Sequence, residues 1–330
     1  MSRSTVMFAV STPQEAGPIE AAKVAHITKV LDAQLELVHC VFDSHATQQS
    51  EFAPERTEEQ IQKLVFEAQS ALEHLADQFR SLGVPTKFSV RWDHPAHAGI
   101  VRQVLRHTPR LLIAQSSPHE PLARALLSHT DRSLIETCPS PLLLLKTRRP
   151  YSVPPLLIAA VDPGHAHDKP AALDEHILET ASLFTEALSG KLLVFHARTP
   201  WEEALRVDPQ LRDLPEYQDE DFHRDYLDRV DASVVDLAER HGLTPEQVHV
   251  EDGHAAALLP HYAATINADI VVMGAVSRSR LRRLLIGHTA ERVLDALPSD
   301  ILIVKPPGFQ TSVHVDSPHL VHASLELPSP

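Results

Sequence analysis

Two tandem, doubly wound α/β domains, each on a mostly parallel sheet, are expected of this chain on three grounds. Residues 111–146 return without a gap as 270–305, matching Leu122 with Leu281, Arg124 with Arg283, His129-Thr130 with His288-Thr289, Pro139-Ser140 with Pro298-Ser299 and Lys146 with Lys305. A repeat near half of a 330-residue chain marks a duplicated domain, since solenoid repeats are far shorter. Short apolar runs alternate with amphipathic stretches in both halves, the strand and helix alternation of parallel sheets. Runs such as Leu111-Leu112-Ile113-Ala114 and Ile270-Val271-Val272-Met273 show no in-and-out alternation, so both of their faces are expected to be buried.

In the first half, strands are read near 5–11, 34–42, 86–92, 111–115 and 141–146, and helices near 14–32, 57–82, 96–108 and 122–137. The second half repeats the order, with strands near 156–162, 190–197, 247–251, 269–274 and 300–305 and helices near 171–188, 218–241, 255–267 and 283–296. At the module starts, Val6-Met7-Phe8-Ala9-Val10-Ser11 is set against Leu157-Ile158-Ala159-Ala160-Val161-Asp162, and Leu37-Val38-His39-Cys40 against Leu193-Val194-Phe195-His196. These elements divide the chain into a first domain at 1–149, a second at 150–308 and a tail at 309–330. Prolines 150, 154 and 155 make the link an extended connector. Residues 200–220, rich in proline and carboxylate, read as an irregular insertion.

Composition narrows the function classes. The 44 acidic and 30 basic residues give a formal charge of −14, which favours neither nucleic acid nor an anionic membrane surface as a partner. The two cysteines, Cys40 and Cys138, lie in or beside apolar runs and read as reduced, packed thiols. Met1-Ser2-Arg3-Ser4 leads into a strand without a signal-peptide pattern, and no apolar stretch approaches the ~20 residues of a membrane span, so a cytoplasmic protein is expected.

Ligands of doubly wound sheets bind at the carboxyl ends of the strands, where strand order reverses and helix N-termini favour anions. The loop after the fourth strand of the second half reads Gly274-Ala275-Val276-Ser277, then nine residues from Arg278 to Ile286, then Gly287-His288-Thr289. Small residues at 274, 277 and 287 let backbone amides approach a phosphate. This spacing resembles the signature of the universal stress protein family: glycine, two residues, glycine, nine residues, glycine, then serine or threonine. Val161-Asp162, His196 closing the second strand and Ile301-Leu302-Ile303-Val304-Lys305 closing the module are similar to that family's tandem members.

The resemblance implies two Rossmann-like, five-stranded sheets packed as an intramolecular pseudo-dimer, with residues 142–145 against 301–304, and leaves room for a further homodimer. It implies a stress-response role with ATP, and magnesium with it, in the second half. Asp162 would then face the adenosine, Ala197 and Met273 would line the adenine region, and Gly274, Ser277, Gly287, His288 and Thr289 would surround ribose and phosphates. Ser277 and His288 depart from the pattern, although each can still donate a hydrogen bond. In the first half Gln115, Pro118 and Ser128 replace all three glycines and Ser11 replaces the aspartate, so that half is read as structural.

Rival readings use the same residues. Arg278, Arg280, Arg282 and Arg283 form either a phosphate clamp or a solvated face paired with Asp219, Glu220 and Asp221. His165, His167 and Asp168 are the weak metal candidates; zinc needs three or four converging ligands, and no paired cysteines supply them. His94 and His97 read as capping or surface residues. No nucleophile elbow, Walker loop or zinc-protease helix is present, so the chain reads as a non-enzyme with at most slow ATP hydrolysis, for which Asp162 and Glu251 are the available carboxylates. The alternatives to nucleotide binding are an interaction scaffold that signals through unknown protein partners without a nucleotide, and a binder of an apolar, lipid-like metabolite.

Overall fold

Each half of the chain is a run of short apolar strands separated by helices. The computed structural model describes residues 3–13, 17–42, 54–116, 127–163, 172–198, 220–275 and 288–315, with the backbone alone at 54–57, 220–223 and 288–289. Within these, residues up to 116, 127–150 and 309–315 fall in one compact unit, and those between 151 and 308 in a second.

The first unit runs β1 (Ser4–Ala9), α1 (Pro18–Val30), β2 (Ala33–Val41), α2 (Pro54–Ser81), β3 (Thr86–Trp92), α3 (Ala96–His107), β4 (Leu111–Gln115), α4 (His129–Thr137) and β5 (Leu142–Leu145). Its strands lie in the order β3-β2-β1-β4-β5, every neighbouring pair parallel. Val6, Met7, Phe8 and the leucines of β4 and β5 are essentially inaccessible to solvent, as expected of strands covered on both faces. Helix α2 buries Val65, Leu72, Leu75, Ala76 and Phe79, a stripe at helical spacing. Phe79 meets Phe8 edge to face at 6.3 Å, fixing α2 on β1. Helix α3 closes on the sheet at Gly99, where a Cβ would come within 2.7 Å of Cys40 Sγ and 2.8 Å of Asp93 Cβ. Arg102 of α3 pairs with buried Asp93 and donates from Nε to the His314 carbonyl at 3.1 Å, which holds the start of the C-terminal segment to this unit.

The expected helix at 122–137 is corrected at its start. Leu127 and Ser128 are not helical, and α4 begins at His129 because Ser128 caps it. The Ser128 hydroxyl accepts the Asp131 amide, while the Asp131 carboxylate accepts the Ser128 amide, a reciprocal capping box.

The second unit runs β6 (Leu156–Ala160), α5 (Ala172–Ala187), β7 (Lys191–Arg198), α6 (Glu220–Arg240), β8 (Val248–Asp252), α7 (Ala255–Thr265), β9 (Ile270–Gly274), α8 (His288–Ala296) and β10 (Asp300–Val304). Its order, β8-β7-β6-β9-β10, is again parallel throughout. The connector is tied down within this unit. Buried Asp269 accepts the amides of Ser152 at 3.1 Å and Leu156 at 2.9 Å, and Tyr151 donates its hydroxyl to Asp300 at 2.9 Å. In both units the chain steps outward from the first strand, then returns to its other side. The reversal falls between β1 and β4, and between β6 and β9, and opens a crevice at their carboxyl ends.

Candidate functional site at the carboxyl ends of the second sheet

Strand β6 ends where Val161 donates its amide to the Phe195 carbonyl on β7 at 3.0 Å. The next two groups are held as firmly. Nδ1 of His196, a side chain only 3% exposed, lies 3.0 Å from the Val161 carbonyl oxygen, so Nδ1 carries the proton and donates it. The Asp162 amide donates to the Asp174 carboxylate at 3.1 Å, from the first turn of α5. The backbone of Asp162 is therefore fixed from two sides, while its side chain is 46% exposed and its Oδ1 lies 3.9 Å from His196 Nδ1.

Three other expected residues lie at the same strand ends. Ala197 follows His196 on β7, and Met273 of β9 pairs in register with Ala160 of β6. Gly274 closes β9, and its lack of a side chain has a packing cause. A Cβ there would lie 2.7 Å from Leu173 Cδ2 and 3.2 Å from Ile177 Cδ1 of α5. Asp162, Ala197, Met273 and Gly274 thus share one crevice edge. His288 and Thr289 open α8 as backbone, whereas Ser277, Arg278 and Gly287 lie outside the described residues, as do His165, His167 and Asp168. Among the described residues no three His, Cys, Asp or Glu side chains converge as a metal site.

Glu251 does not join Asp162. It lies on β8, separated from β6 by β7, so the strands that carry the two carboxylates are about 10 Å apart. Its carboxylate lies instead 3.4 Å from His249 Nε2. The His249 ring stacks on Tyr262 at 4.1 Å, and burial, with the charge of Glu251, pushes the Tyr262 phenol up.

Two elements of this edge had no place in the sequence reading. Asp174 reads as an ordinary acidic residue of a helix first turn, yet it anchors the Asp162 amide. Arg198, directly after Ala197, is clamped by Asp252 at 2.6 Å and Asp231 at 2.7 Å, and the Asp252 hydrogen bond leads the causes that raise its pKa. The signal was a lone arginine ending an apolar strand.

The first unit repeats the frame with different contents. Val10 donates to the Val38 carbonyl at 2.8 Å, and His39 Nδ1 lies 2.7 Å from the Val10 carbonyl. His39 is therefore the counterpart of His196, and Val38 of Phe195. The alignment that sets His39 against Phe195 and Cys40 against His196 is one residue out of register. Ser11 follows Val10 where Asp162 follows Val161, and Gln115 closes β4 where Gly274 closes β9.

A family model described as the universal stress protein family matches residues 3–146 and again 159–305. Universal stress protein E of Escherichia coli K12 is 22% identical over 313 residues, covering 94% of this chain and 96% of that one. The universal stress protein E homolog of Haemophilus influenzae is 21% identical over 269 residues, covering 81% and 84%. Among solved structures, a functionally unknown protein from Pseudomonas aeruginosa PAO1 is similar with a TM-score of 0.66 at 25% identity, covering 92% of this chain and 93% of that one. A universal stress protein from Archaeoglobus fulgidus is similar in fold, with a TM-score of 0.60 at 13% identity over 91% and 98% of the two chains.

Proposed function

The chain belongs to the universal stress protein family, and from that premise we propose that its second unit binds a nucleotide such as ATP, with magnesium, or another anionic metabolite, at the carboxyl ends of β6, β7 and β9. The observation that carries this reading is Asp162. Its main chain is immobilised by Asp174 and His196 while its carboxylate stays half exposed at the point where strand order reverses. Ala197 and Met273 supply an apolar edge for a base, and the start of α8 supplies amides for an anion. Occupancy would then be passed to protein partners in the cytoplasm, with at most slow hydrolysis of the ligand.

Thermal unfolding with and without millimolar ATP and magnesium tests the reading, with AMP and zinc as separate additions. Ligand at about 100 times its Kd stabilises the native state by about 2.7 kcal/mol. A saturable shift lost in Gly287→Val and in Asp162→Ala supports the site. Unchanged affinity in both variants removes the site assignment, and no shift with any nucleotide removes the nucleotide in favour of a scaffold.

A further inference from the structure

Asp131 takes in the first unit the place that Ala290 holds in the second, three residues into the helix that leads to the last strand. The carboxylate is almost fully enclosed. Its Oδ2 accepts the Ser128 amide at 2.9 Å and the Ser116 hydroxyl at 3.1 Å, while the Asp131 amide returns a bond to Ser128 Oγ at 3.1 Å. Ser116 is itself anchored to the sheet, its amide donating to the Leu145 carbonyl at 3.0 Å. The charge of Lys146 bears on the same carboxylate and, with these hydrogen bonds, opposes the upward push of burial on its pKa.

The second unit keeps this frame and loses the pair. The Ala275 amide donates to the Val304 carbonyl at 3.2 Å, as Ser116 does to Leu145, and Lys305 follows β10 as Lys146 follows β5. Alanines stand at both ends of the missing hydrogen bond, Ala275 for Ser116 and Ala290 for Asp131. Both changes remove the buried, capping carboxylate from the positive end of this helix, about half an elementary charge, where the second unit has Glu291 in the first turn instead. A carboxylate held there by two donors beside a lysine is chemically a bound anion.

We propose that Asp131 is a built-in anion that closes the first unit to phosphate-bearing ligands, and that the exchange of Ser116–Asp131 for Ala275–Ala290 adds to the loss of the loop glycines in setting which unit can accept one. The claim about the first unit stands apart from nucleotide binding by the second.

The test compares the full chain with Asp131→Ala and Asp131→Asn by thermal unfolding in inorganic phosphate and in sodium chloride of equal ionic strength. The second unit is the same in all three, so its own response to phosphate, present or absent, cancels. Loss of the cap in Asp131→Ala is expected to lower Tm by about 2–4 °C in chloride. Phosphate restores this saturably, beyond any gain in the unaltered chain. The amide oxygen introduced by Asp131→Asn keeps the acceptor without the charge, so that variant should lose less Tm than Asp131→Ala and gain less from phosphate. Equal phosphate responses in the unaltered chain and the Ala variant overturn the proposal, as does a larger gain in the Asn variant than in the Ala variant. Should the Ala variant not fold in chloride, recovery of folded protein in phosphate alone supports it, and no recovery in either salt overturns it.

Discussion

Nδ1 of His196 donates to the Val161 carbonyl at 3.0 Å, and the first unit builds the same bond from His39 to Val10 at 2.7 Å. The contact occurs in both copies, whereas the residue that follows the carbonyl differs, Asp162 in one and Ser11 in the other. The histidine therefore belongs to the construction of the strand end, and the residue after the carbonyl is where the two units differ.

His196→Phe keeps the ring volume and removes the donor from a buried carbonyl. A lost buried hydrogen bond of this kind costs about 1–3 kcal/mol. Urea unfolding should show the midpoint falling with the slope unchanged. His39→Phe should behave alike, although burial holds the His39 ring below its usual pKa and the Val10 hydrogen bond opposes that shift. A midpoint equal to that of the unaltered chain in both variants would deny the contact any structural weight.

Gly274 admits a second test, because packing gives a reason for its missing side chain. In Gly274→Ala the new methyl meets Leu173 Cδ2 at 2.7 Å and Cγ at 3.0 Å. Overpacking of this size costs about 1–3 kcal/mol. Leu173→Ala in the same chain should relieve part of that cost, giving a coupling energy of roughly 0.5 kcal/mol or more in a double-mutant cycle. Strict additivity of the two changes would mean that α5 does not press on β9.

Most of the fold was legible because parallel strands buried on both faces leave unbroken apolar runs, as at Leu142–Leu145 and Ile270–Gly274. The start of α4 was not, since Leu122 and Leu126 continue a helical spacing and only the Ser128-x-x-Asp131 pair marks the true beginning. The register of β2 against β7 failed for a similar reason. Leu37-Val38 and Leu193-Val194 fit in letters, whereas the strand registers and the bonds from His39 and His196 fix the correct match. The family resemblance named Asp162, Ala197 and Met273, and the strand-end loop named Gly274; the four lie at neighbouring strand ends. Neither reached Asp174, whose partner is a backbone amide that no side-chain motif announces.

Tyr151 makes the alkaline limb of stability testable. Burial first, then Asp300, raises its phenol well above the usual value of 10.0. A raised folded pKa means that the native state holds a proton the unfolded chain releases, so this stability is complete below pH 10 and lost as pH rises toward the folded value. Tyr151→Phe should be less stable near neutrality, by about 1.5–3 kcal/mol for a hydrogen bond to a charged group. Its unfolding free energy should fall less steeply above pH 10 than that of the unaltered chain. Parallel curves in that range would place the phenol in solvent.

Cys40 combines packing and ionisation in one readout. Burial, followed by the charge of Asp93, pushes its thiol up from 9.0 to about 12, and its sulfur lies against the backbone of Gly99. The thiolate is the reactive form. At pH 8 a shift of that size lowers the thiolate fraction by roughly a thousandfold relative to the unfolded chain. In a Cys138→Ala background, alkylation of Cys40 should thus be slower by about that factor in native protein than in urea. The same shift contributes stability that is lost as pH rises from 9 toward 12. Gly99→Ala drives a methyl to 2.7 Å from Sγ, so it should loosen α3 from the sheet and speed native labelling, whereas labelling at the unaltered rate would show that the helix accommodates the methyl without moving.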